Sequence, residues 1–190
     1  MRKTNAMAHA GETGNLQKRH LWKAGLAGAL LVWALVLRGF VVQPQLIVSD
    51  SMAPTLAVGD RLVVDKLSYR LHLPRVGDIV VFEPPPALAR SGSLQESIAI
   101  KRVIALPGQE VQVRDGQVLV DGTPLREPYV AAPPAYAWGP ASIPEGMLFV
   151  LGDNRNVSSD SHIWGLLPTQ HVKGRAWLRF WPLARAGLIP

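Results

Sequence analysis

The sequence predicts a mostly β domain, with antiparallel or mixed sheets, behind one N-terminal transmembrane helix. Three observations lead there. One long apolar run lies close to the N-terminus; short β-branched runs separated by turn residues follow it; and the 190 residues include 17 glycines and 16 prolines, too many for a helical bundle. At 48% apolar and 18% charged, the chain is also too hydrophobic for a disordered protein. It has no cysteine, so disulfides, thiolate metal sites and thiol nucleophiles are excluded and packing alone must hold it together.

The first element is the anchor. Residues 21–42 read LWKAGLAGALLVWALVLRGFVV, broken only by Lys23 and Arg38 near the ends. As a helix this segment reaches about 33 Å, close to one hydrocarbon thickness. Its uninterrupted part, 24–37, is short alone, but the Lys and Arg stems can snorkel to the headgroups while Trp22 sits at the interface. A cleaved leader is disfavoured because residues 38–42 (RGFVV) offer no small-x-small site. Lys18, Arg19, His20 and Lys23 precede the span and hold the N-terminus in the cytoplasm. Residues 1–20 are then a cytoplasmic tail, 21–42 the anchor, and 43–190 a domain on the exported side, extracytoplasmic or lumenal.

The net charge of +6 belongs to the same end. Residues 1–40 contain Arg2, Lys3, Lys18, Arg19, Lys23 and Arg38 against Glu12, so the exported part is left near neutral with its charges interspersed. A nucleic-acid partner is excluded on that balance.

After the anchor the strands follow in order: 61–65 (RLVVD), 78–82 (DIVVF), 98–105 (IAIKRVIA), 110–114 (EVQVR), 117–121 (QVLVD), 146–151 (GMLFVL) and 172–180 (VKGRAWLRF). Asp115-Gly116 between two alternating runs is a two-residue hairpin turn. Residues 84–97 (PPPALARSGSLQES) and 128–144 (PYVAAPPAYAWGPASIP) read as surface loops, since runs of proline cannot supply ladder donors. Near the C-terminus Trp177, Phe180, Trp181 and Leu183 alternate with Arg175, Arg179 and Arg185. Core is the expected place for Trp177, and a membrane-touching surface is the alternative for the cluster.

Three segments are unusual for a plain β domain. Residues 49–56 (SDSMAPTL) suit a Ser and Pro turn closing the anchor. In 98–107, Lys101 and Arg102 interrupt an apolar run; alternation sends them to opposite faces, so one of them faces inward. Residues 152–165 (GDNRNVSSDSHIWG) form a dense polar loop between apolar strands, as a network of Asx and Ser turns would.

In this order the three segments resemble the boxes of the type I signal peptidase family, the Ser/Lys proteases that release exported proteins from their leader peptides. They are similar to its S-x-S-M-x-P-T-L, K-R-V-x-x-x-P-G and G-D-N-R-x-x-S-x-D-S patterns, and 77–82 (GDIVVF) resembles a further family strand. The resemblance covers roughly residues 40–182. It implies a signal-peptidase-like β domain, Ser51 as nucleophile, Lys101 as general base, and an oxyanion held by the Ser51 backbone N–H and the Ser49 hydroxyl. It also implies that Ser158 orients the Lys101 amine while Asp153, Asp160 and Arg155 brace the loop. The family often carries Arg where this chain has His162 and Asn where it has Val157.

The residue types lead to the same chemistry. A serine hydroxyl needs a base, usually histidine. Of the five histidines, His9 and His20 precede the span and His72 and His171 stand outside any motif. His162 with Asp160 is the other pairing open to the chain, although Ser158 and Ser161 beside them favour local turns. A lysine base must be neutral, which means its pKa falls from about 10.4 toward 7 or 8 by desolvation, at a cost of roughly 4 kcal/mol. Ile98, Ile100, Val103 and Ile104 around Lys101 are the surroundings in which that cost arises. Ile47, Met52, Leu56 and Ile100 are candidate walls for shallow pockets that admit only small side chains, and an extended substrate would add as a strand. The expected partners are signal peptides of exported preproteins and the lipid bilayer. No metal or cofactor is expected, because neither zinc-ligand spacing nor a phosphate-cradling Gly loop is present. Two further classes remain: a non-catalytic membrane-anchored β binding or assembly module of the same fold, disfavoured by the presence of both Ser51 and Lys101, and a Ser/Lys protease that cuts itself or a regulator, disfavoured by the span.

Overall fold

The computed structural model describes residues 42–85 and 98–190, with Trp22, Lys23, Gly25, Leu26, 28–30 and Val32 ahead of them. The expected tail, most of the expected span 21–42 and most of the loop 84–97 lie outside the described residues. No helix among the described residues is long and apolar enough to cross a membrane.

From Val42 onward the described residues of the chain form strands, turns and single helical turns. In order it forms β1 (Val42–Leu46), β2 (Arg61–Asp65), the single-turn α1 (Ser68–Leu71), β3 (Ile79–Phe82), β4 (Ala99–Ala105), β5 (Glu110–Arg114), β6 (Gln117–Val120) and β7 (Thr123–Pro124). It continues with β8 (Trp138–Ser142), β9 (Met147–Leu151), the single-turn α2 (Ser161–Trp164), β10 (Leu167–Pro168), β11 (Val172–Trp181) and β12 (Gly187–Leu188). Seven of these strands are the β-branched runs of the sequence. Asp115 and Gly116 adopt φ of 51° and 74°, the left-handed pair that a tight hairpin between β5 and β6 requires.

Two sheets result. The larger runs β1-β2-β11-β3-β4-β9-β10, with β12 on β11, and the smaller runs β7-β6-β5-β8. Every described pairing is antiparallel. β11 lies between β2 and β3, so this late strand joins the β1–β2 pair to the β3–β4 pair. A core cluster of Ile104, Ala105, Phe149 and Leu151 with Val111, Val113, Val118 and Ile143 packs the small sheet onto β4 and β9.

Two sequence expectations are corrected here. Residues 128–144 are not loop throughout, because β8 pairs with β5 as Val111↔Ala141 and Val113↔Trp138. Pro140 falls in the register shift between those pairs on an outer strand, where its missing N–H leaves no ladder bond unmade. Trp138 is held there by its ring, 4.4 Å from that of Phe149. The second concerns Lys101 and Arg102, only one of which was expected to face inward. All seven residues of β4 are buried, since this central strand is covered on both faces, and alternation therefore sends the two side chains into two different interiors.

Candidate active site

Ser51 lies in a 3-10 turn, Asp50–Met52, that follows β1. Met52 and Leu56 are driven into the core, 1% and 0% exposed, and the Leu56 N–H donates to the Met52 carbonyl at 2.9 Å. Burial of these two side chains fixes the turn and leaves Ser51, just ahead of them, partly exposed at the rim. Lys101 projects from the middle of β4, paired with Val80 of β3, and is 3% exposed. Its Nζ lies 2.8 Å from Ser51 Oγ, a contact between residues 50 apart in sequence. Ser49 Oγ is 3.3 Å from Ser51 Oγ.

The polar loop after β9 closes over this pair. The Asn154 N–H donates to the Ser51 carbonyl at 3.1 Å, and Asn154 Nδ2 to the Asp50 carbonyl at 3.2 Å. Gly152 packs so closely that a Cβ there would stand 2.2 Å from Ser158 Oγ and 2.3 Å from the Ser51 carbonyl oxygen. The Ser158 hydroxyl is buried beside Ser51 and makes no hydrogen bond. Its expected bond to the Lys101 amine is therefore not formed in this structure, where Nζ is turned to Ser51 instead.

Charged side chains behind the loop are paired. Arg102 places Nε and Nη2 on Asp153 Oδ1 and Oδ2 at 2.9 and 2.7 Å, and Thr55 Oγ1 donates to the same carboxylate at 2.5 Å. Arg155 meets Glu127 through two bonds of 2.6 Å and donates from Nε to the Gly152 carbonyl at 3.1 Å. Burial works against the Arg155 charge, yet the bonds and field of Glu127 outweigh it and hold the guanidinium pKa above its ordinary value. Asp160 accepts from the Gly152 N–H at 2.9 Å and lies 2.6 Å from His162 Nδ1, whose ring stacks on Tyr136 at 3.8 Å.

A model of the family described as signal peptidase, peptidase S26, matches residues 20–181, most of the chain. The chain belongs to the signal peptidase family. It is 55% identical over 159 residues to the probable signal peptidase I-1 of Synechocystis, covering 84% of this chain and 81% of that protein. Signal peptidase I of Leptolyngbya laminosa is 51% identical over 160 residues, 84% of this chain and 79% of that one. The probable thylakoidal processing peptidase 2, chloroplastic, of Arabidopsis thaliana is 46% identical over 82% of this chain, a match that spans 42% of the plant protein. The protein is thus a peptide hydrolase of the signal peptidase I type, a serine endopeptidase.

As a signal peptidase, the chain places its sequence-chosen residues unevenly. Ile47, Met52 and Ile100 line a groove beside Ser49 and Ser51, together with 45, 46, 48 and Ile98. Leu56 does not reach it, because its side chain is wholly inside the core. Trp177, expected in the core, is instead 43% exposed next to exposed Phe180, Trp181 and Leu183. Two arginines of that cluster, Arg179 and Arg185, reach the buried Asp60 at 3.2 and 3.3 Å, while the aromatics beside them stay exposed. His162 faces Asp160 and Tyr136, and the side chain on Ser51 Oγ is Lys101. Sequence reading singled out Arg102 without giving it a role and missed Glu127 and Tyr129. Arg102 was visible as a charge in an apolar run, whereas nothing in 126–130 (REPYV) distinguished it from a loop.

Proposed function

We propose that the chain cleaves N-terminal signal peptides from exported preproteins after small-x-small sites, with Ser51 as nucleophile and Lys101 as general base. The observation that carries this reading is the 2.8 Å contact between Lys101 Nζ and Ser51 Oγ. Only a neutral amine can take the serine proton, and a lysine 3% exposed loses the hydration on which its ammonium form depends.

On this reading the two side chains act in turn. Ser51 Oγ attacks the scissile carbonyl carbon as its proton passes to Lys101 Nζ. The oxyanion is held by the Ser51 N–H and the Ser49 hydroxyl, which lies within 3.3 Å of the attacking oxygen. Collapse breaks the C–N bond, and the Lys101 ammonium returns its proton to the leaving amine. Water, deprotonated by the same lysine, then releases the acyl group from Ser51. The Ser158 hydroxyl, buried without a hydrogen bond, is at hand to steady the amine during these transfers, while Asp153, Asp160 and Arg155 hold the loop.

The groove beside Ser51 is narrow and apolar at Ile47, Met52, Ile98 and Ile100, which suits an extended peptide with small side chains. Leu46, Val48, Trp177, Phe180, Trp181 and Leu183 are exposed and suit contact with the lipid surface at which such a peptide emerges. The 21–42 segment anchors the chain, N-terminus in the cytoplasm and the catalytic domain on the exported side.

The test is mass spectrometry of a precursor peptide with an Ala-x-Ala site, incubated in detergent with wild type, Ser51→Ala and Lys101→Met. Cleavage after the second Ala by wild type alone is the expected result. Cleavage by Lys101→Met at the wild-type rate, or no cleavage of several such precursors by wild type, overturns the assignment.

A further inference from the structure

We infer that Glu127 and Tyr129 are positioning residues for this site, a two-residue clamp that fixes the catalytic loop and β4 against each other. The inference builds on the Ser51–Lys101 reading and adds residues outside every motif that led to it.

Two arms meet at the clamp. In the first, the Glu127 carboxylate takes Nη1 and Nη2 of Arg155, each at 2.6 Å, and Arg155 Nε holds the Gly152 carbonyl at 3.1 Å. Gly152 is the residue with no room for a methyl group between Ser158 Oγ and the Ser51 carbonyl. Any shift of its peptide is therefore passed to both serines. In the second arm, the Tyr129 ring lies 3.9 Å from the Arg102 guanidinium carbon, in cation–π contact. Arg102 follows Lys101 on β4 and grips Asp153 with a bidentate fork, and Asp153 accepts from Thr55 of the nucleophile segment. The arms are tied where the Tyr129 hydroxyl donates to Glu127 Oε1 at 3.1 Å.

The contacts thus form a ring from nucleophile segment to base strand to loop, closed by Glu127 and Tyr129. The Arg155 and Glu127 side chains are 0% and 10% exposed, so solvent screens their attraction little and a substitute water cannot simply replace the carboxylate. Such a ring acts on geometry. Displacing a reacting group by about 1 Å from a distance can lower the rate about 100-fold, while the groove wall at Ile47 and Ile98 makes none of the ring's contacts and keeps its affinity for peptide.

The experiment uses the full chain in detergent and the same Ala-x-Ala precursor, with Glu127→Gln, Glu127→Asp, Tyr129→Phe and Tyr129→Leu, and with Ser51→Ala and Lys101→Met alongside. It measures kcat, KM, the pH–rate profile and the melting temperature. For Glu127→Gln we expect kcat to fall about 10- to 100-fold with KM within about twofold, a displaced acidic limb of the profile, and partial recovery in Glu127→Asp. Tyr129→Leu should fall with it and Tyr129→Phe by less, since the ring stays over Arg102. Wild-type kcat and profile in Glu127→Gln and Tyr129→Leu overturn the inference. So does a loss that follows the melting temperature alone, with kcat per folded molecule and the profile unchanged, which marks a purely structural pair. If Glu127→Gln does not fold, Tyr129→Phe and Tyr129→Leu decide by the same criteria. Activity retained in Ser51→Ala or Lys101→Met defeats the dyad itself, a failure separable from that of the clamp.

Discussion

Arginine at position 101 would preserve length and positive charge yet could not give up a proton at any pH the fold tolerates. Lys101→Arg should therefore be as inactive as Lys101→Met, with kcat down about 100- to 10,000-fold; a charge that merely oriented Ser51 would survive the exchange, and peptide cleavage distinguishes the two. Gly152→Ala tests the crowding beside the dyad. Its Cβ would fall 2.2 Å from Ser158 Oγ and 2.3 Å from the Ser51 carbonyl oxygen, one of them fixed backbone, so a loss of about 1–3 kcal/mol of stability is expected together with a fall in kcat, read by denaturant titration and kinetics. At this scale Ser51, Lys101 and Ser49 were legible because their neighbours form recognisable strings. Glu127 and Tyr129 were not, since a Glu-Pro-Tyr sequence carries no periodicity and acquires meaning only when Arg155 and Arg102 arrive from elsewhere in the chain. The position of Trp177 was unreadable for a related reason: β11 shifts register against β2 between Ala176 and Leu178, so simple alternation does not say which way residue 177 faces.

Among the elements, the corner between β2 and α1 is set by a single carboxylate. Asp65 accepts from the Leu67 and Ser68 N–H groups at 2.8 and 3.1 Å and from the Ser68 hydroxyl. Its partial burial pushes the pKa up, but these bonds and Arg175 outweigh it and hold the group below the ordinary carboxylate value. The folded state therefore binds this proton less readily than the unfolded chain, and the stabilisation is present above the unfolded pKa, near 4, and fades as pH falls through the lower folded value. Asp65→Asn should lower the melting temperature at pH 6 and differ less from wild type near pH 3, followed by circular dichroism. The strands with β-branched alternation and the Asp115-Gly116 hairpin were readable from local pattern alone. β1 (VQPQL) and β8 (WGPAS) were not, because each contains proline and few β-branched residues and is a strand only by virtue of the partner that covers one edge.

Across the whole molecule, Tyr69 lies near Asp78 while Tyr129 and Tyr136 share the surroundings of Glu127 and Arg155, and in each burial, reinforced by Asp78, Glu127 or Asp160, raises the phenol pKa. The folded protein keeps protons that the unfolded chain sheds near pH 10, so stability should decline as pH rises beyond about 10; melting temperatures at pH 9 and 11, with Tyr69→Phe as the less sensitive variant, measure it. The sheet order carries a different consequence. Ser51 follows β1 and Lys101 stands on β4, and β11, ending at Trp181, is the strand that bonds to both β2 and β3. A chain made from its N-terminus onward contains Ser51 and Lys101 long before the strand that joins their halves exists. Chain termination after residue 171 should accordingly leave a protein that cuts no precursor peptide in the mass-spectrometric assay. Proteolysis is thereby timed by topology: the newborn chain cuts nothing until almost its last residues have been made.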